Sequence, residues 1–117
     1  MNTLREDAKY IYTRAIEAVL PDEAVRRALA GQNFPGRVIL VAAGKAAWRM
    51  ASAARSTLGG RIETGIVITK YGHVQSPIPG IVCREAGHPV PDENSFSATR
   101  EALSLTENLT ADDTVLF

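Results

Sequence analysis

The sequence predicts an α/β fold, a layered sheet with flanking helices, and two observations support this. Segments with helical spacing alternate with short β-branched segments along the 117 residues, an order typical of such sheets. The run from Val38 to Ala43 is apolar throughout, which suits a strand buried on both faces of a parallel sheet. The length is that of a single domain.

Composition and charge exclude several classes of protein. Apolar residues make up 45% and charged residues 22% of the chain, close to globular averages, so the chain as a whole is not disordered. Thirteen basic residues balance thirteen acidic ones, which favours neither a nucleic-acid partner nor an acidic tail. No apolar run is long enough to span a bilayer, and the N-terminus lacks the pattern of a signal peptide. We therefore expect a cytoplasmic protein with neither a nucleic-acid nor a membrane partner.

Two helices are predicted before the first strand. The segment Leu4 to Leu20 has helical spacing, and Thr3 with Glu6 forms a capping box at its start. Its apolar stripe consists of Leu4, Ala8, Ile11, Ala15, Ala18 and Val19. Pro21-Asp22 ends this helix, and a second, shorter helix follows from Glu23 to Ala30.

The middle of the chain predicts a strand–helix–strand unit. The first strand runs from Arg37 to Ala43 and is broken by Gly44. Apolar residues then return at helical spacing from Lys45 to Leu58, and a second strand follows from Ile62 to Thr69.

Three further elements complete the predicted order. A short strand covers Gly80 to Arg84, and a helix covers Ser95 to Leu109 with Asn94 or Ser95 as its cap. The last residues, Thr114 to Phe117, form a final strand.

The end of the sequence predicts a truncated part of a larger domain. Thr114 to Phe117 has the pattern of a buried strand, but it stops after four residues. The preceding helix carries apolar residues on both sides, as a helix covered on both sides does. These are Ala98, Ala102, Leu105 and Leu109 on one side and Phe96 and Leu103 on the other. The alternative is a chain that ends in a short edge strand. An uncovered strand edge beside apolar residues also predicts a homo-oligomer.

The strongest local signal is the turn that places Gly44 and Lys45 between a buried strand and a helix. Free amides at a helix N-terminus favour an anion, and a lysine adds a full positive charge. Ligands of open α/β sheets bind at the carboxyl ends of the strands, where this turn lies. Ile39 and Ala46 stand where a Walker loop requires Gly and Ser or Thr, and the three glycines of a dinucleotide fingerprint are missing. The spacing fits a phosphate-binding turn and a tight turn with an exposed lysine equally well.

Polar residues also follow the next two predicted strands. Lys70 and His73 come directly after one strand, and His88 lies in the loop after the other. A histidine can donate a hydrogen bond or transfer a proton near neutral pH. Lys70 and His73 are equally well explained as solvated loop residues. The alternative for His88 is that it satisfies backbone carbonyls, and we interpret Asp92 as a helix cap. The two histidines have no third ligand close by, so we predict no metal ligands.

At these motifs the chain resembles the N-terminal part of the type 2 glycerate kinase family (MOFRL-type), whose members also carry the name hydroxypyruvate reductase. The resemblance rests on Gly44 to Ala47, Ile68 to His73, Glu85 to Ser95 and Asp113 to Phe117. It covers nearly the whole chain but only about a quarter to a third of a family member. In the family the last strand runs into a Ser/Gly-rich phosphate-binding loop, which this sequence lacks.

The resemblance implies a three-layer, Rossmann-like N-terminal domain, of which residues 1–117 form an incomplete portion, with a second domain absent. It implies that the full-length protein phosphorylates D-glycerate to 2-phosphoglycerate with ATP and Mg²⁺, while the fragment itself is inactive. Lys45 corresponds to the family's proposed active-site cation, and we predict that it is catalytic. The residues predicted to bind substrate or phosphate are Gly44, Ala46, Lys70, His73 and His88.

Two other functions stay open at this point. An NAD(P)-dependent hydroxypyruvate reductase would carry a glycine-rich fingerprint and an acidic residue about 20 residues further on. Glu63 lies near that distance from Gly44, but the glycines are missing. The remaining alternative is a folded module without activity.

Overall fold

The computed structural model describes residues 3–117 and confirms the predicted α/β fold. The described residues form a four-stranded sheet with the order β3-β2-β1-β4, in which every pair of neighbouring strands is parallel. The strands are β1 (Val38–Ala43), β2 (Ile62–Lys70), β3 (Ile81–Ala86) and β4 (Thr114–Leu116). The helices are α1 (Leu4–Ala18), α2 (Pro21–Leu29), α3 (Ala47–Leu58) and α4 (Glu93–Leu105), with a 3-10 turn at Gly59–Arg61.

Helices cover both faces of the sheet, which confirms the predicted three layers. On one face α3 packs against β1 and β2 through small side chains, Ala47, Ala51 and Ala54. On the other face α4 contacts β2 and β3, and Ala102 packs against Ile66. Because successive strand residues point to opposite faces, a strand covered on both sides is apolar throughout. The largest fully buried side chains all come from the two central strands: Val38, Ile39, Ile66 and Val67.

The predicted helix from Lys45 begins two residues later, at Ala47. Gly44 has φ +124°, a backbone angle that side chains with a Cβ rarely adopt. The chain therefore leaves β1 in a turn, with Ala46 as the residue that precedes the first helical one. The helical spacing of the apolar residues does not reveal this turn, because that spacing describes the side-chain pattern and not the backbone angles.

The last helix is also displaced from its predicted range, Ser95 to Leu109. Asp92 is its N-cap rather than Asn94 or Ser95, since its side chain accepts a hydrogen bond from the Ser95 amide. The helix ends at Leu105, and Asn108 has φ +56°, which a helix does not accommodate. The interpretation of Asp92 as a helix cap is confirmed.

The remaining boundaries shift by one or two residues. Pro21 is the first residue of α2, a position at which its fixed φ favours the helix and no amide is needed. Gly80 has φ +76° and precedes β3, which starts at Ile81 and extends to Ala86. The last strand covers Thr114–Leu116, so Phe117 lies outside it.

The capping box at the start of α1 is confirmed. The Thr3 amide donates to the Glu6 carboxylate at 2.7 Å, and the Glu6 amide donates to the Thr3 hydroxyl at 3.3 Å. No residue of α1 is buried, however, and Leu4, Ile11 and Val19 of the predicted stripe are 89%, 67% and 80% exposed. The radius of gyration is 17.1 Å, against about 13 Å expected for a compact domain of this length. Residues 3–117 therefore leave the apolar stripe of α1 uncovered.

A cluster around Asp113 joins the edge strand β4 to the start of β1. The Asp113 carboxylate accepts hydrogen bonds from the Arg37 guanidinium at 2.8 Å, from the Arg37 amide at 3.2 Å and from the Thr110 amide at 2.8 Å. These bonds, led by that of Arg37, hold the pKa of Asp113 well below its usual value. They fix β4 at the sheet edge opposite to β3.

Candidate functional site

The candidate site lies at the carboxyl ends of β1, β2 and β3. In a parallel sheet the carboxyl ends of all strands lie on the same side, and the loops that follow them form the usual ligand crevice of open α/β sheets. The loops here are residues 44–46, 71–80 and 87–92. They contain all the residues that the sequence predicted for the site except Lys70, which is the last residue of β2.

The turn after β1 leaves the N-terminus of α3 open toward solvent. The Gly44 amide donates to the Ile68 carbonyl at 3.0 Å, which ties the turn to β2. Among the described residues no side chain caps α3, and its first turn contains no acidic residue. The Ala47 amide donates to the Gly44 carbonyl at 3.2 Å, but within residues 3–117 no side-chain cap and no acidic residue of the first turn offsets the partial positive charge of this helix end. Lys45, directly before the helix, is exposed.

Both predicted site lysines are available to a ligand. Lys45 and Lys70 are exposed, and the ion pairs formed among residues 3–117 all use arginines. Positive charge at this edge of the sheet is thus not consumed by neighbouring carboxylates.

The loop after β2 contacts the turn after β1. The His73 Nδ1 atom lies 3.3 Å from the Lys45 carbonyl oxygen, so a protonated Nδ1 donates a hydrogen bond to it. The His73 amide donates to the Lys70 carbonyl at 3.0 Å. The Thr69 hydroxyl donates to the Gly44 carbonyl at 2.8 Å. The structure therefore brings Gly44, Lys45 and His73 together, and it adds Thr69, to which the sequence analysis gave no role.

His88 is not joined to this group. It is exposed in the loop after β3, and none of the hydrogen bonds found within residues 3–117 links it to the turn after β1. Its part in ligand binding stays a prediction.

A second network ties the loops after β2 and β3 to each other. The Tyr71 hydroxyl donates to the Asp92 carboxylate at 2.6 Å and accepts a hydrogen bond from the Asn94 side chain at 2.8 Å. The Tyr71 bond, with weaker ones from the Gly87 amide and Ser95, lowers the pKa of Asp92 to about 2. Asp92 thus caps α4 and anchors the neighbouring loop at once. The sequence carries a signal for the cap but none for its pairing with Tyr71, which lies 21 residues away.

Within residues 3–117 no group of three or more His, Cys, Asp or Glu side chains is placed to hold a metal ion. The site offers backbone amides, two lysines and a histidine, because the Thr69 and Tyr71 hydroxyls already donate to the Gly44 carbonyl and the Asp92 carboxylate. Such donors suit an anion, and phosphate in particular. The helices of the described chain include none that is both long and apolar enough to cross a membrane.

Comparison with known proteins places these features in a family. Residues 7–117 match the family described as "Domain of unknown function (DUF4147)". A D-glycerate 2-kinase from Thermotoga maritima is 53% identical over 115 residues, which are 98% of this chain and 27% of that protein. A protein from Agrobacterium vitis provisionally named hydroxypyruvate reductase is 36% identical, over 96% of this chain and 25% of that protein.

The fold agrees with the sequence comparison. The crystal structure of a glycerate kinase from Thermotoga maritima superposes with a TM-score of 0.87 at 54% sequence identity, over 97% of this chain and 27% of that one. The chain thus spans about a quarter of the length of the proteins that it matches. The predicted resemblance to the glycerate 2-kinases is confirmed, and the chain belongs to the family described as a domain of unknown function (DUF4147).

Proposed function

We propose that this chain is the N-terminal portion of a longer protein that transfers the γ-phosphoryl group of ATP to the 2-hydroxyl of D-glycerate. The 2-hydroxyl oxygen bonds to the γ-phosphorus, the bond to the β–γ bridging oxygen breaks, and the hydroxyl proton is released. The products are ADP and 2-phosphoglycerate. The observation that carries the proposal is the exposed Lys45 at the uncapped start of α3, in a chain 53% identical to a D-glycerate 2-kinase.

Lys45 is the proposed catalytic residue. Phosphoryl transfer is catalysed mainly by positioning and by stabilising charge on the transferred group. An ammonium group next to open helix amides supplies both a fixed positive charge and hydrogen-bond donors on one side of the phosphoryl group. The proposed substrate- or phosphate-binding residues are Gly44, Ala46, Lys70, His73 and His88.

Kinases of small acids use ATP together with Mg²⁺. The residues of this chain suit the phosphate groups of ATP but not Mg²⁺. The open α3 amides and the lysines suit nucleotide or substrate phosphate. Mg²⁺ prefers oxygen ligands, chiefly carboxylates, and the carboxylates of residues 3–117 form no such cluster. We therefore assign no step on this chain to the metal.

The structure adds an argument against the hydroxypyruvate reductase alternative. The acidic residue of a dinucleotide fingerprint binds the ribose, so it belongs at the ligand-binding, carboxyl end of its strand. Glu63 is the second residue of β2, near the opposite end, where its carboxylate lies 3.9 Å from the Arg37 guanidinium. Glu63 therefore lies at the amino end of its strand, the wrong end for binding a ribose.

Parallel assays on the full-length protein test the proposal. We expect formation of 2-phosphoglycerate from ATP and D-glycerate, and no oxidation of NADH or NADPH with hydroxypyruvate. The 117-residue chain alone serves as the control and is expected to be inactive, because it spans about a quarter of its kinase relatives. Hydride transfer without phosphorylation, or phosphorylation by the 117-residue chain alone, contradicts the proposal.

We propose further that the protein is cytoplasmic and that the 117-residue chain associates with itself. Support for self-association comes from exposed apolar side chains on α4 and β4, where Phe96 is 55%, Leu103 62% and Val115 37% exposed. Light scattering of the 117-residue chain is expected to give a dimer or a larger assembly, with this surface at the contact. A monomer at high concentration contradicts this proposal.

A further inference from the structure

Thr69 is a polar side chain inside an apolar core. It is 3% exposed, and among the described residues the others that are buried as a whole are apolar or glycine. The Asp113 carboxylate is also shielded from solvent, but it is paired with the Arg37 guanidinium. Thr69 lies at the end of β2, the central strand that pairs with both β1 and β3. Valine has the same shape and would satisfy the packing without a polar atom to bury, so packing alone does not explain a hydroxyl here.

Within residues 3–117 the hydroxyl has one hydrogen-bond partner, the Gly44 carbonyl, to which it donates at 2.8 Å. That carbonyl also accepts the Ala47 amide at 3.2 Å. The turn therefore has a hydrogen bond that closes it without Thr69. What the hydroxyl adds is a fixed direction for the peptide group that joins Gly44 to Lys45.

The direction of this peptide matters because Gly44 is itself permissive. A glycine at φ +124° has access to a wide range of backbone angles, so the turn needs an external constraint to keep one orientation. Constraints come from β2 and its loop, through the Ile68 carbonyl, the Thr69 hydroxyl and the His73 ring. Among Ile68, Thr69 and His73, which supply these three groups, Thr69 is the buried residue.

We propose that Thr69 is a positioning residue: its hydroxyl orients the Gly44–Lys45 peptide and thereby aims the Lys45 ammonium at the phosphoryl group. The inference rests on the proposed function for the role of Lys45. Thr69 touches no substrate and acts only through the turn. A misplacement of about 1 Å in a catalytic group lowers the rate by about 100-fold in unfavourable cases.

The test is a double-mutant cycle in the full-length protein, measured as ATP-dependent phosphorylation of D-glycerate. We expect Thr69→Val, which keeps the volume and removes the hydroxyl, to lower kcat by about 10- to 100-fold. Thr69→Ser, which keeps the hydroxyl, restores most of that loss. In a Lys45→Ala background Thr69→Val has no further effect, because the group that it positions is already gone. Melting curves of all variants accompany the kinetics.

The outcomes separate this inference from the proposed function. If Lys45→Ala is fully active, the proposed role of Lys45 is wrong. If Lys45→Ala is inactive while Thr69→Val keeps normal turnover, the positioning role alone is overturned. Equal losses from Thr69→Val in both backgrounds also overturn it, since Thr69 would then act independently of Lys45. Should Thr69→Val melt below the assay temperature, all variants of the cycle are assayed at a temperature below its Tm, and the same comparison decides.

Discussion

Adding one methyl group at Gly65 is expected to disrupt the centre of the sheet. Gly65 lies in β2, opposite Leu40 of β1. A Cβ atom at this position would be 2.6 Å from the Leu40 carbonyl oxygen and 2.8 Å from the Ile81 Cδ1 atom. Ordinary van der Waals contact begins at 3.4 Å, so the methyl group of Gly65→Ala is about 0.8 Å too close to a backbone atom.

The cost follows from what has to move. The Ile81 side chain can rotate away, but the Leu40 carbonyl belongs to the strand ladder, so β1 and β2 must separate and lengthen their hydrogen bonds. Overpacking of this kind costs about 1–3 kcal/mol. For a chain of this length that corresponds to a fall in Tm of roughly 4–12 °C.

Urea and thermal unfolding of the 117-residue chain, followed by circular dichroism, measure the effect. Gly60→Ala is the matched control, because a Cβ there meets nothing within 4 Å and its φ lies outside the range that is strained for side chains. We expect this control to be neutral or to gain about 0.4–1 kcal/mol from the less flexible unfolded chain. If Gly65→Ala is as stable as Gly60→Ala, the close approach of β1 and β2 in our description is wrong.

Two further substitutions test the core and the loop network. Ile66→Ala removes a fully buried side chain between β2 and α4, so it should lower the free energy of unfolding by about 2–5 kcal/mol. Val82, which pairs with Ile66 in the strand register, is 39% exposed and serves as the control. An equal loss of stability from Val82→Ala contradicts this packing. Asp92 has a pKa depressed from 3.8 to about 2, so its contribution to stability is present above pH 4 and is lost as the pH falls toward 2. The urea midpoint of unfolding should therefore fall more steeply between pH 4 and pH 2 in the parent chain than in Asp92→Asn. If the midpoints of the two proteins fall in parallel with pH, the Tyr71–Asp92 hydrogen bond is not the source of the pH dependence.

Burial on both faces explains why much of the fold was predictable. A strand covered by helices on each side must be apolar throughout, so the run from Val38 to Ala43 identified β1, and the glycine after it identified the turn. The position of the turn at the carboxyl end of a parallel strand then predicted where a ligand would bind. Local signals of this kind lie within a few residues of each other.

What the sequence did not reveal depends on pairing across the fold. The bond between Thr69 and Gly44 joins residues 25 positions apart, and it exists because the strand register places Ala43 beside Ile68. Periodicity also does not say what covers an apolar face. The stripe of α1 was predicted correctly as a pattern, yet within residues 3–117 nothing buries it.

The measurement that bears most directly on the proposed function is the steady-state kinetics of Lys45→Ala in the full-length protein, beside a melting curve. Lys45 is exposed before α3, so its removal should leave the fold intact. Loss of one charge-stabilising group from a closed cleft lowers turnover by about 100- to 1000-fold, or roughly 3–4 kcal/mol. Lys45→Arg should restore little of this, because a planar guanidinium replaces a compact charge, and Lys9→Ala on α1 is the control that should stay fully active. Turnover near normal in Lys45→Ala, or a loss explained by unfolding, contradicts the catalytic role of Lys45 and leaves the turn after β1 as a structural feature alone.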